Sequence, residues 1–80
     1  MKRAEFKRLA TPALPRARWS TGDALGTKLH ASYIDVTLPF DDLPALHAVC
    51  KAAGVRAVGV SVLLYDKDYV HRRVCLTVQA

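Results

Sequence analysis

Eighty residues make one small domain, close to the lower size limit at which a single core holds without disulfide or metal staples. An apolar fraction of 51% excludes a wholly disordered chain, and the lack of any apolar run near the roughly 20 residues that cross a bilayer excludes a membrane span. The net charge of +5 lies entirely in the first 28 residues, where Lys2, Arg3, Lys7, Arg8, Arg16, Arg18 and Lys28 face only Glu5 and Asp23.

From Leu29 onward the charges balance: Lys51, Arg56, Lys67, Arg72 and Arg73 against Asp35, Asp41, Asp42, Asp66 and Asp68. The chain therefore divides into a basic, Pro-containing N-terminal segment, residues 1–27, and an apolar module, residues 28–80. No apolar stretch follows the cationic start, which argues against a secretory signal; an Arg-rich, acid-poor start fits an organellar transit peptide better. Cys50 and Cys75 are too few for a disulfide scaffold, so reduced, buried thiols in a cytoplasmic protein are expected. Met1 is the only methionine and reads as the start of a complete short reading frame.

Residues Lys2 to Ala10 alternate charge with apolar side chains, and Phe6 and Leu9 would share one face of a short helix. Thr11-Pro12-Ala13-Leu14-Pro15 ends it, because proline lacks an amide donor and restricts its predecessor. Arg16 to Ser20 reads as a short extended piece, followed by a turn at Thr21-Gly22-Asp23 and a flexible point at Gly26.

Leu29 to Leu38 reads as a strand with Ile34, Val36 and Leu38 on one face and Tyr33, Asp35 and Thr37 on the other. Asp41 or Asp42 would cap a helix whose first turn accepts Pro44. Its buried stripe would be Leu43, Leu46, Val49, Cys50 and Ala53, and Gly54 would end it in the left-handed conformation. Val58, Val60, Val62 and Leu64 then alternate with Ala57, Gly59, Ser61 and Leu63 as a second strand. After a turn at Asp66-Lys67-Asp68, Val70 to Val78 returns with Val74, Leu76 and Val78 facing the core. The expected class is α+β: a small antiparallel or mixed sheet with one main helix on one face. Its core is β-α-β-β, and the basic segment adds a short helix or strand. So small a core also makes a homo-oligomer, with the leader swapped onto a neighbour, a structural alternative.

The candidate chemistry is thin. His47-x2-Cys50 and His71-x3-Cys75 have a metal-like composition; the helical pair could share an ion, but in the strand pair four residues of extended chain span about 13 Å, too far for one tetrahedral ion. Ser20, Ser32 and Ser61 sit in no nucleophile elbow, and no phosphate-binding glycine loop is present. A non-enzymatic protein without a cofactor is therefore expected.

Two binding readings remain. In the first, the strands before and after the helix run parallel, so their C-terminal ends share an edge; Asp41, Asp42, Asp66 and Asp68 form an acidic rim there. Such a rim would engage an Arg-lined groove on a protein or ribonucleoprotein partner, although aspartate is also the ordinary residue at helix caps and hairpin turns. In the second, Arg16, Arg18 and Trp19 of the leader combine charge with a stacking ring, and the helix-free sheet face displays Tyr33, Tyr65, His71 and Arg73; together they would hold single-stranded nucleic acid. The ordinary reading of the aromatics is packing under the leader or in a dimer interface.

A short reading frame with a compact module over Leu29–Val78, a basic leader and no catalytic motif resembles the small phage or mobile-element anti-CRISPR proteins that act on type I interference complexes. The resemblance is one of format. It implies stoichiometric binding to a Cas subunit, blocking target DNA recognition or nuclease recruitment. The chain departs from the strongly acidic DNA mimics of that group, which leaves a local acidic rim in place of whole-surface mimicry.

Overall fold

A computed structural model describes residues 1–22, 25–62 and 71–78. In chain order it contains helix α1 (Arg3–Ala10), strand β1 (Arg18–Ser20), strand β2 (Tyr33–Pro39), helix α2 (Leu43–Ala53), strand β3 (Arg56–Val62) and strand β4 (His71–Thr77). The strands form one sheet in the order β1-β2-β4-β3, and every neighbouring pair is antiparallel. The class is α+β, with the expected β-α-β-β core and both a helix and a strand added by the basic segment. Because β2 and β3 each oppose β4, they run in the same direction, with β4 inserted between them.

The helices share one face of the sheet. Phe6, Ala10 and Leu14 from the N-terminal segment, Leu46 and Cys50 from α2, and Ile34, Val36, Leu38, Val74, Leu76 and Val78 from the strand region belong to a single buried cluster. The spacing of Phe6 and Ala10 puts both on one side of α1. Leu9, expected beside Phe6, is 53% exposed, because Ala10 takes the sheet-facing position. Thr11 donates its hydroxyl to the Lys7 carbonyl at the end of α1, and the Leu14 amide reaches the Ala10 carbonyl at 3.0 Å. Those turns carry Leu14 back into the core at the point where Pro12 and Pro15 prevent the helix from continuing.

Three local expectations are corrected. The strand expected from Leu29 starts only at Tyr33, because His30 and Ser32 form a tight turn: Tyr33 donates its amide to the His30 carbonyl, and Ser32 donates its amide to His30 Nδ1. Asp42 occupies the position before α2 but makes no side-chain cap; a 3₁₀ turn over Phe40–Asp42 leads into the helix instead. Val58 leaves the expected alternation, since the register with β4 shifts between Ala57 and Gly59 and exposes the Val58 side chain by 56%. Leu63, Leu64, the Asp66-Lys67-Asp68 turn and Val70 lie outside the described residues.

The other end of α2 follows the sequence reading closely. Gly54 has φ 72°, a left-handed backbone that glycine adopts without a Cβ penalty, and its amide bonds the Cys50 carbonyl. Among the described residues no helix is long and apolar enough to cross a membrane.

Candidate binding surface

The acidic rim divides. With β2 and β3 parallel, their C-terminal ends do lie on the same sheet edge. Asp41 is exposed there, but Asp42 accepts a 2.8 Å hydrogen bond from Arg16 Nη2, so one carboxylate is already matched by the chain's own leader. The second Asp42 oxygen is buried and has no hydrogen-bond partner among the described residues. Asp66 and Asp68 lie outside the described residues.

The helix-free sheet face also differs from a stacking platform. Trp19 pairs with Val36 in register and so points to the core side, where its ring meets Phe6 edge-on at 5.8 Å. Arg18 and Ser20, one residue away on either side, take the opposite face beside Thr37 and Asp35. Tyr33 stays on the helix-free face, with its ring edge-on to His30. Tyr65 lies outside the described residues, and for His71 the strand register places only the backbone, opposite Pro39. Trp19 and Arg18 are therefore not brought together on one surface.

Arg73 does sit on that face, but its charge is met internally. Its Nε donates to Asp35 Oδ2 at 2.8 Å, its Nη2 donates to the same oxygen, and Nη2 also donates to the Gly22 carbonyl. The two side chains are only 16% and 7% exposed. Taking two charges out of water is costly unless they are paired and hydrogen-bonded, and here both conditions hold. The bond to Gly22 folds the loop after β1 onto the sheet, where Gly22 also bridges Lys28. Asp35 was legible as an anomaly, a carboxylate amid the β-formers Ile34, Val36 and Leu38, but its partner comes from a strand 38 residues later.

Cys75 lies directly opposite Asp35 in the β2–β4 register. Burial, then the hydrogen bond to Asp35 and the charge of that carboxylate, push its thiol from the ordinary 9.0 up to about 11, while Arg73 pulls the other way. It is a protonated, weakly nucleophilic thiol. Cys50 belongs to the opposite, helix-covered side, where burial also raises its pKa. Both cysteines are free, and the sheet stands between them. Cys50 is buried as expected, whereas Cys75 is only partly so. No group of three metal-ligating side chains occurs among the described residues.

The feature that sequence reasoning missed is a groove of about 500 Å³ between α2 and the β3 side of the sheet. Leu46, Cys50, Val55, Ala57, Val74 and Leu76 supply an apolar lining. Ala57 is a small side chain on the outermost strand, opposite Leu76, and leaves the space that a larger residue would fill. Lys51 from the end of α2 and Arg56 from the start of β3 also line the groove; both are exposed, and no acidic residue does so. The signal in the sequence was the light Ala57-Val58-Gly59 stretch, which reads as strand propensity without revealing what lies beneath it. Compared with protein families, characterised proteins and solved structures, the chain matches none.

Proposed function

We propose that this protein is a non-enzymatic binding protein, and that its activity is inhibition of a type I CRISPR-Cas interference complex by occupancy of a Cas subunit. The observation that carries the binding reading is the open apolar groove beside the outermost strand β3, a concave surface on a chain too small for both a core and an enclosed catalytic pocket. The resemblance in format to small type I anti-CRISPR proteins supplies the partner. The exposed Asp41, with Asp66 and Asp68, is the proposed acidic contribution to that contact.

A protein partner is favoured over single-stranded nucleic acid by two placements. Arg73 is neutralised by Asp35, and the Trp19 ring packs against Phe6, so the proposed platform loses one cation and one stacking group. The test is capture of a purified type I interference complex by the tagged protein, with loss of target DNA binding or nuclease recruitment at stoichiometric ratio. Failure to retain any Cas subunit overturns the inhibitor reading. Unchanged inhibition by Asp66→Lys with Asp68→Lys removes the acidic rim from it. A gel shift at two salt concentrations separates the alternative, because binding to phosphates weakens steeply with salt.

A further inference from the structure

We infer that the α2–β3 groove takes an extended, apolar segment flanked by acidic residues, which adds a strand to the edge of β3 left unpaired among the described residues. The inference rests on the protein-binding reading above and names the surface and the chemistry of its occupant.

Three observations converge on it. First, β3 is the outermost strand, and at seven residues it is more than twice as long as β1 at the other edge. An edge strand presents a row of backbone donors and acceptors, and proteins normally blunt such edges by shortening, charging or covering them. Here one bulge, at Val58, is the blunting device; from Gly59 to Val62 the register with β4 is regular. Second, the groove runs alongside this edge, with Ala57 of β3 in its wall and Leu46, Cys50 and Leu76 in its lining. An added strand projects alternate side chains to opposite faces, so every second residue would reach the groove. Third, the charged residues of the groove are cations only, Lys51 and Arg56, and neither forms an ion pair among the described residues.

That last point decides between occupants. A second copy docking through this edge in a two-fold dimer would bring the same patch against itself. That patch has no acidic residue in the groove lining, so a second copy brings no carboxylate to Lys51 or Arg56. A segment whose uncharged middle has an apolar residue at every second position, with glutamate or aspartate at its ends, places those apolar side chains in the groove. Its acidic end falls near the two cations, which line the groove from the end of α2 and the start of β3.

The probe is a short fluorescein-labelled peptide of alternating valine and threonine with glutamates at both ends, titrated with the full chain and read by anisotropy. Saturable binding is expected, with amide shifts concentrated in Arg56–Val62 and α2. The same peptide N-methylated at alternate amides on its strand-pairing edge should lose binding, as should the peptide with lysines in place of its glutamates. The variant Lys51→Glu with Arg56→Glu, at two exposed positions, should keep its melting temperature and bind at least about tenfold more weakly. Absence of binding, equal binding of the N-methylated peptide, or equal binding by the folded double variant each overturns the inference. So does concentration-dependent dimerisation with protection of the β3 amides, which assigns the edge to a second copy. If the interference complex is captured equally by the wild type and the double variant, the groove is excluded while the inhibitor reading stands. If the peptide binds at the groove and no Cas subunit is retained, the inhibitor reading falls and the groove stands.

Discussion

On the β1 side of the sheet the chain covers itself: α1 lays Phe6 against Trp19, and Phe6, Ala10 and Leu14 join the same core as β2 and β4. On the β3 side α2 leaves a groove, and the residue of β3 that lines it beside Val74 and Leu76 is an alanine. The short, basic segment thus finishes one flank of the fold, while the longer strand on the other flank has an unpaired edge among the described residues. Charge does not divide so simply. Arg16 of the leader meets Asp42, and Arg73 meets Asp35 and Gly22, whereas Lys51 and Arg56 at the groove have no ion-pair partner among the described residues. The lesson is that the exposed cations of the folded surface are not confined to the basic end of the sequence: Lys2, Lys7, Arg8 and Arg18 are exposed there, and so are Lys51 and Arg56 beside the groove.

The sharpest way to break this comparison is at Phe6, whose side chain is fully buried. Phe6→Ala should cost about 3–5 kcal/mol, a large part of the stability of so small a domain, and removal of residues 1–14 should abolish cooperative melting. Denaturant titration checks both, and a leader that is dispensable for folding would leave the midpoint unmoved. Next in size is Asp35→Ala, which strands the Arg73 guanidinium at a site only 16% exposed and should cost about 3 kcal/mol. The double replacement Asp35→Leu with Arg73→Leu should recover most of that loss, because a matched apolar pair removes both buried charges together. A thermodynamic cycle over the wild type, Asp35→Leu, Arg73→Leu and the double variant measures the coupling.

Gly54→Ala should have a smaller effect. Its Cβ would meet no atom within 4 Å, so the cost is that of holding alanine at φ 72°, about 1 kcal/mol. The last effect is absent at neutral pH and appears only in alkali. The folded-state pKa of Cys75, about 11, lies above its ordinary 9.0, so the neutral thiol is favoured in the folded chain. That contribution is complete below pH 9 and should fade as the pH rises from about 9 through 11. Cys75→Ala should flatten this part of the stability–pH curve, with Cys50→Ala needed as the companion because its thiol is raised as well.

The readable parts of this fold were those governed by neighbours in sequence. Alternation in β2 and β4 placed Ile34, Val36, Leu38, Val74, Leu76 and Val78 in the core, because successive side chains in a strand must point to opposite faces. Spacing of three and four gave the buried side of α2, and Gly54 marked its end because only a residue without Cβ tolerates that backbone freely. The parallel direction of β2 and β3 followed from the helical crossover between them.

What the tertiary structure alone decided is where distant residues meet. That Phe6 outranks Leu9 on α1 depends on which side of an eight-residue helix reaches the sheet. That Arg73 is an internal ion-pair partner and not a free cation depends on Asp35, placed opposite Cys75 only by strand register. The groove depends on Ala57 lying opposite Leu76 and on the order in which β4 enters between β2 and β3. Periodicity is a local property and reports which face is apolar; pairing, register and the spaces left between elements are long-range properties, and these set the proposed binding surface.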